Sequence, residues 1–307
     1  MREKILITGG AGFIGSHLAE LLQDDFEVIV LDNLATGYRK NLEGIRHTFF
    51  KGSINDYELV LRLMVGVRYV FHLAAMVSVP LSIQEPRKCL RDNVNGLLNV
   101  LDASVEHGVT KVILASSAAV YGNTEVSPKC ECHLPAPESP YAITKLDGEH
   151  YLRMYHKTNG LSTTALRFFN VYGPRQDPES AYAAAVPIFV SRAMKVEPLT
   201  VFGDGEQTRD FVYVGDVVKG LLFAATASTL QGAYNLAAGH KTSINELISQ
   251  IGHELGLTPK VEYAPVRAGD IRNSIASTAK LQEAGFQATT PLDVGIRSVI
   301  NANRASC

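Results

Sequence analysis

Through the first half of the chain, short apolar runs alternate with longer stretches whose apolar residues recur every three to four positions. The runs Lys4–Thr8, Glu27–Leu31, His47–Lys51, Tyr69–Leu73, Lys111–Ala115 and Thr163–Phe168 predict β-strands. The stretches Phe13–Leu22, Leu90–Glu106 and Tyr141–Thr158 predict amphipathic helices between them. Strands without polar alternation must be covered on both faces, so the expected fold is α/β, a doubly wound parallel sheet with helices on either side. Past Asn170 the pattern loosens. Pro174, Pro178, Pro187 and Pro198 punctuate an irregular region, strand signal returns only at Ala233–Leu236, and the chain from His240 onward mixes helices with turns. A smaller C-terminal α/β lobe, assembled from two separated stretches, is therefore expected. The anticipated division assigns residues 1–170 with 211–238 to the sheet domain, and residues 171–210 with 239–307 to the lobe.

The first strand runs into Thr8-Gly9-Gly10-Ala11-Gly12-Phe13-Ile14-Gly15 and then a helix. Glycines at 9, 12 and 15 permit a tight turn, close approach of a pyrophosphate, and close packing of helix on sheet. The helix N-terminus adds free N–H groups and a positive dipole end. The second strand ends at Asp32, seventeen positions after Gly15. A carboxylate there accepts hydrogen bonds from an adenosine ribose and repels a 2′-phosphate, which favours NAD over NADP. These features make the sheet a Rossmann sheet.

Composition narrows the picture in three respects. A chain of 307 residues with 46% hydrophobic content can bury a full core and form about two structural units. A formal net charge of −2 gives no electrostatic footprint for nucleic acid or an anionic membrane. The longest apolar runs fall short of the ~20 residues that span a bilayer, and Met1–Thr8 reads as a buried strand instead of a leader, so a cytoplasmic protein is expected. Cys89, Cys130, Cys132 and Cys307 do not form a metal-ligand pattern, because Cys130-Glu131-Cys132-His133 lacks both the usual spacing and a second pair. Reduced thiols and no bound metal are expected.

Tyr141 and Lys145 lie four apart on a predicted helix and project from one face. An ammonium beside a phenol favours the phenolate, which predicts a lowered Tyr141 pKa and a group able to take a proton from an alcohol. The fifth strand ends in Ala115-Ser116-Ser117-Ala118-Ala119-Val120-Tyr121-Gly122, at the same carboxyl edge of the sheet. The glycine loop, Asp32, Ser117 and the Tyr141/Lys145 pair occur in order. With Leu73-Ala74-Ala75, Asn93-Val94-Asn95-Gly96, Leu166–Asn170 and Arg267-Ala268-Gly269-Asp270, they resemble the extended short-chain dehydrogenase/reductase family over nearly the whole chain. Within it the chain looks most like the UDP-hexose 4-epimerases.

The resemblance implies an NAD-dependent enzyme that inverts C4 of UDP-Glc/UDP-Gal, and of UDP-GlcNAc/UDP-GalNAc, through a transient 4-keto sugar. Tyr141 takes the C4 hydroxyl proton, Ser117 relays to that oxygen, and Lys145 supports the phenolate and the cofactor ribose. Related dehydratases carry Asp-Glu after the catalytic hydroxyl, and related decarboxylases carry a Glu at the second of those positions. Ala118 and Ala119 stand there in this chain, and an alanine transfers no proton. The implied NAD site comprises Gly9, Gly12, Phe13, Ile14, Gly15, Asp32, Asn33, Thr36, Gly37, Ser53, Ile54, Leu73, Ala74, Ala75, Asn93, Tyr141, Lys145 and Phe168. Ser53 departs from the aspartate that relatives place beside the adenine. The implied UDP-sugar site comprises Ser78, Ser117, Tyr141, Asn170, Val186, Phe189, Val201, Phe202, Arg209, Arg267, Asp270 and Ser274. Arg209 and Arg267 would hold the diphosphate through their planar forks. Ser274 occupies a position that limits pocket volume in relatives, and a serine there leaves room for a 2-acetamido group. A homodimer through the Leu90–Glu106 and Tyr141–Thr158 helices is also implied, although Val94, Leu97, Leu98 and Leu101 equally suit packing on the sheet. The alternatives are a UDP-glucuronate 4-epimerase, a net nucleotide-sugar dehydrogenase, or a non-catalytic NAD-binding regulatory protein.

Overall fold

The computed structural model describes residues 2–178, 184–266 and 272–305. Its first half alternates strand and helix: β1 (Lys4–Thr8), α1 (Phe13–Leu22), β2 (Glu27–Asp32), β3 (Thr48–Lys51), α2 (Tyr57–Leu63), β4 (Val67–His72), α3 (Val79–Gln84), α4 (Pro86–Leu90), α5 (Gly96–Glu106), β5 (Lys111–Ser117), α6 (Pro140–Asn159) and β6 (Ser162–Phe168). There follow β7 (Asn170–Tyr172), α7 (Ala185–Met194), β8 (Leu199–Phe202), β9 (Thr208–Arg209), β10 (Phe211–Tyr213), α8 (Val214–Thr226), β11 (Gly232–Leu236), β12 (Thr242–Ser243), α9 (Ile244–Leu255), β13 (Val261–Ala264), α10 (Ala279–Glu283) and α11 (Leu292–Ala305).

Seven strands form a parallel sheet in the order β11-β6-β5-β4-β1-β2-β3, as the unbroken apolar runs predict. The register of β5 on β6 runs from Lys111↔Ser162 to Ser117↔Phe168 and sets those last two residues side by side at the carboxyl edge. Leu6, Val70, Val112 and Leu114 of the sheet pack in one core with Leu97, Val100 and Leu101 of α5 and with Leu152 and Tyr155 of α6. Leu97 and Leu101 are thus spent on this core, Leu98 packs against it, and Val94 is buried.

The 20-residue helix α6 starts where its sequence dictates. The Ser139 hydroxyl accepts from the Ala142 N–H, Pro140 fills the first turn, and Gly160 closes the helix at φ +72°. Gly148 lets it lie close on the sheet, since a Cβ there would stand 2.9 Å from Leu114 Cδ2. The expected helix Leu90–Glu106 is instead broken. A wide turn at Arg91–Asn95, with a π-type ladder, separates α4 from α5. Such widened turns recur at functional sites.

The chain divides into two compact units: Met1–Gly122 with Leu134–Phe168 and Val218–Tyr234, and Asn123–His133 with Phe169–Val217 and Asn235–Cys307. The second unit has strands that the sequence pattern does not announce. β7 pairs with β10 and β13 with β8 in parallel, while β12 pairs with β9 antiparallel. They are two to four residues long, too short for a period to register. Tyr172, Val186, Phe189, Val190, Leu199, Val201 and Phe211 share a core with Ile244, Leu247 and Ile251 of α9 and with Ile296, Val299 and Ile300 of α11. A capping box of Ser243 and Glu246 starts α9.

The expectation of free thiols fails at two positions. Cys130 and Cys132 are joined as a disulfide, their Cα atoms 5.2 Å apart and so within bridging range, while Cys89 is free and buried. Among the described residues, no group of three or more His, Cys, Asp or Glu could hold a metal ion, and no helix is long and apolar enough to cross a membrane.

Candidate active site

The glycine loop is a cradle with no room for side chains. A Cβ on Gly15 would lie 2.3 Å from the Gly9 carbonyl oxygen, and one on Gly9, at φ +73°, would lie 2.7 Å from the Ala74 nitrogen. Helix α1 therefore begins hard against the loop, with Gly12 as its N-cap and no side chain capping its first N–H groups. Those donors are what a pyrophosphate needs. Asp32 closes the far side. Its Oδ2 accepts from the Ala11 N–H at 3.0 Å and its Oδ1 from the Leu34 N–H at 2.7 Å, while burial pushes its pKa above the usual carboxylate value. Gly37 packs on Ala11, where a Cβ would come within 2.9 Å, and the Asn99 amide holds the Ile54 carbonyl. Phe13 and Ile14 are half-buried, whereas Asn33 and Thr36 are exposed at the rim. The Ser53 hydroxyl accepts from the Asn55 N–H, so its side chain is occupied in closing its own turn. The cradle, the uncapped helix start and Asp32 fit a dinucleotide.

At the carboxyl end of β5, the Ser117 hydroxyl acts on the Tyr141 phenol, favouring its ionised form, and accepts from the Ala119 N–H at 3.1 Å. Lys145, one helical turn past Tyr141, is buried, and its Nζ donates to the Ala115 carbonyl at 2.7 Å. That Nζ lies 5.7 Å from the centroid of the Tyr141 ring. Ser117, Tyr141 and Lys145 are thus brought together, but the predicted electrostatics need correction. Burial raises the Tyr141 pKa above the ordinary phenol value, with Ser117 opposing the rise, so the net shift is opposite to the one expected from Lys145. Burial also pulls the Lys145 ammonium down to about 8. Desolvation of the charged forms outweighs their mutual attraction at this separation.

A second layer holds this helix. The Asn93 carboxamide, in the wide turn, accepts from the Met76 N–H at 2.7 Å and donates to the Thr144 hydroxyl at 3.0 Å and to Cys89 Sγ at 3.5 Å. Ser78 caps α3 by accepting from Leu81 N–H, and the Ser82 hydroxyl accepts from the Tyr141 N–H. Next to the glycine loop, the Thr8 hydroxyl bonds His72 Nδ1 at 2.9 Å and accepts from the Ala74 N–H. His72 is buried, and desolvation, helped by the Lys145 charge, pulls its pKa down to about 3. The unfolded chain binds this proton from about pH 6.5 downward while the folded chain refuses it until about 3, so stability falls as pH drops through that window. Above it the effect vanishes. His72→Asn should remove the dependence, retaining roughly 2 kcal/mol more of its pH 7.5 stability at pH 4.5 than the parent does, as read by denaturant titration at both pH values.

The second unit contains a cavity of about 350 Å³. Its lining includes Asn170, Val186, Phe189, Val201, Phe202 and Arg209, six positions singled out from sequence and here gathered in one place. Val186, Phe189 and Val201 are core residues and cavity wall at once. Asn170 sits on β7 and Arg209 on β9, which belong to two different short sheets. The Asn170 amide donates to the Asp210 carbonyl at 3.2 Å, and an Arg209 Nη donates to the Thr208 carbonyl at 2.9 Å. Asp210 is fully buried, accepts from the Ala238, Gly239 and Ala276 N–H groups, and is raised by burial to about 6. Ser274 is half-buried, and its N–H donates to the Thr208 carbonyl at 3.1 Å. Arg267 and Asp270 lie outside the described residues. Sequence reasoning missed Tyr172 and Gln207 in the lining. Gln207 stands two residues before Arg209 and donates to the Phe202 carbonyl at 2.7 Å, so the turn that presents the arginine was its only signal.

Comparison with known proteins bears on both halves. The profile of the family described as the NAD dependent epimerase/dehydratase family matches residues 5–237. A UDP-glucose 4-epimerase of Mycolicibacterium smegmatis is 36% identical over 305 residues, which is 97% of each chain. Among solved structures, a UDP-N-acetylglucosamine 4-epimerase from Methanobrevibacter ruminantium, in complex with UDP-N-acetylmuramic acid, superposes at TM-score 0.96 and 36% identity over 100% of this chain and 99% of that one. A UDP-glucose 4-epimerase from Thermotoga maritima with UDP-glucose superposes at TM-score 0.92 and 39% identity over 99% of both.

Proposed function

The chain belongs to the NAD dependent epimerase/dehydratase family, and from that premise we propose that it is a UDP-hexose 4-epimerase that acts on UDP-Glc/UDP-Gal and also on UDP-GlcNAc/UDP-GalNAc. The observation that carries the reading is the convergence of Ser117 and Tyr141, with Lys145 anchored one turn away and only Ala118 and Ala119 after the serine. Proton transfer at one oxygen is available there, and the acid and base for eliminating water are not.

Gly9, Gly12, Gly15 and Asp32 would hold NAD, with Lys145 toward its ribose. When bound, NAD supplies a reversible acceptor for the C4 hydrogen and its electron pair, and a positively charged ring that offsets the burial penalty on the Tyr141 phenolate. Tyr141 removes the proton of the C4 hydroxyl and later returns it to the 4-keto oxygen. Ser117 shares that proton, keeping the oxygen hydrogen-bonded in both oxidation states. Arg209 and Asn170, with the apolar wall of Val186, Phe189 and Phe202, would hold the nucleotide and leave the hexose free to present either face.

Two further features support the finer parts. Ser274 leaves space where a larger side chain would limit the pocket. Ser274→Tyr should abolish turnover of the acetamido sugars while leaving UDP-Glc turnover within about threefold; equal loss on both would remove its role as gate. Val79, Ile83, Leu90, Ile143 and Met154 are exposed apolar residues on α3, α4 and α6, and they supply a surface for a homodimer, which sedimentation would register as twice the chain mass. NAD and nucleotide sugars are cytoplasmic pools, which is where this reading locates the protein. Incubation with UDP-Glc and UDP-GlcNAc separately, with product configuration read by NMR, tests the assignment. Formation of the C4 epimers supports it, and net accumulation of NADH points to a dehydrogenase instead.

A further inference from the structure

Behind Ser117 lies a buried ionic network that the proton-transfer chemistry does not use. Glu149 and Arg167 form an ion pair with side chains only 8% and 6% exposed. The pairing is two-pronged: Arg167 Nε donates to Glu149 Oε1 at 2.9 Å and Arg167 Nη2 to Oε2 at 2.7 Å. Glu149 Oε1 also accepts from the Ser116 hydroxyl at 2.5 Å. The guanidinium lies over the Tyr121 ring, 4.8 Å from its centroid, in the turn that follows Ser117.

The placement of these groups gives the network a meaning. Ser116 immediately precedes Ser117 on β5, Arg167 is its register partner on β6, and Glu149 is two turns past Tyr141 on α6. One carboxylate therefore ties the strand end that carries Ser117 to the helix that carries Tyr141 and Lys145. Bidentate arginine–carboxylate geometry is directional, so it fixes rotation and sliding of the helix over the strand more tightly than apolar packing does. Buried ion pairs are poor contributors to stability, because desolvation offsets the attraction. A network this enclosed has its clearest use in geometry.

We propose that Glu149, held by Arg167 and Ser116, is a positioning residue that sets the placement of Ser117 against Tyr141 for proton transfer. This rests on the reading of those two residues as the proton-transfer pair. The proton path needs donor and acceptor within hydrogen-bond reach, and misplacement by about 1 Å can cost on the order of a hundredfold in rate. The nucleotide cavity lies in the other compact unit, so loosening the network should leave substrate affinity alone.

The test uses the NAD-loaded enzyme and three variants. Ser116→Ala breaks only the link between strand and carboxylate and leaves the ion pair intact; kcat should fall about tenfold with KM within about twofold. Glu149→Gln leaves Arg167 as an unpaired buried charge, so it should lower both Tm and kcat. The double variant Glu149→Gln/Arg167→Met removes that charge, and Tm should recover while kcat stays at least about tenfold below the parent. Native kcat in Ser116→Ala, or recovery of kcat together with Tm in the double variant, would overturn the proposal and leave the network merely structural. A parent enzyme inactive on every UDP-sugar would instead refute the functional reading, which keeps the two failures apart.

Discussion

Replacing Tyr141 with Phe should lower kcat by about 10² to 10⁴, the usual contribution of a positioned acid–base group, while the protein stays folded and retains NAD. The phenyl ring fills the same space, so the contacts of α6 on the sheet survive, and Lys145 keeps its bond to the Ala115 carbonyl. Only the phenolic oxygen, the proposed proton carrier, is lost. NAD occupancy, measured by absorbance after acid release, separates this outcome from unfolding. Because burial holds Tyr141 above 10 and Lys145 near 8 in the ligand-free protein, the phenolate that matters must form in the loaded site. Near-native turnover in Tyr141→Phe would show that another group carries the proton.

The largest effect on cofactor binding is expected from Gly15→Ala. The added Cβ would stand 2.3 Å from the Gly9 carbonyl oxygen and 2.6 Å from Gly10 Cα, both backbone atoms that cannot rotate away. Either α1 lifts from the loop or the loop opens, and both outcomes misalign the N–H groups that would face the pyrophosphate. Overpacking of this kind costs about 1–3 kcal/mol of stability. NAD affinity should fall at least about tenfold, about 1.4 kcal/mol. Gly12→Ala makes a useful contrast, since its Cβ would meet the Gly9 oxygen at 3.2 Å. Without cofactor it should destabilise less than Gly15→Ala. Equal denaturation curves for the two variants would mean that the cradle is not tight at Gly15.

The sheet was legible because its strands are unbroken apolar runs bounded by glycines and helices, which leaves few alternative folds. Asp32, Ser117 and Tyr141 were legible for a related reason: each sits at the end or start of an element that the hydrophobic pattern already defines. The second unit was not, since strands such as Thr208–Arg209 and Phe211–Tyr213 are fixed by their partners and not by any local period. The break at Arg91–Asn95 was invisible for the same reason, an apolar helical pattern running through it undisturbed. The electrostatics were the least legible part. Tyr141 and Lys145 read as a pair in which the cation acidifies the phenol, but desolvation dominates, and burial is a property of the fold and not of spacing. Glu149 gave no signal of its own, because its partner Arg167 lies 18 residues away on a strand.

The central claim is that hydrogen leaves and returns at C4 of one sugar while only the hydroxyl proton visits the protein at Tyr141. UDP-glucose deuterated at C4 measures it directly, with product examined by NMR after equilibration in ordinary water. The mechanism predicts UDP-galactose that keeps its deuterium at C4. Replacement of that deuterium by solvent hydrogen, at C4 of product or recovered substrate, would contradict it.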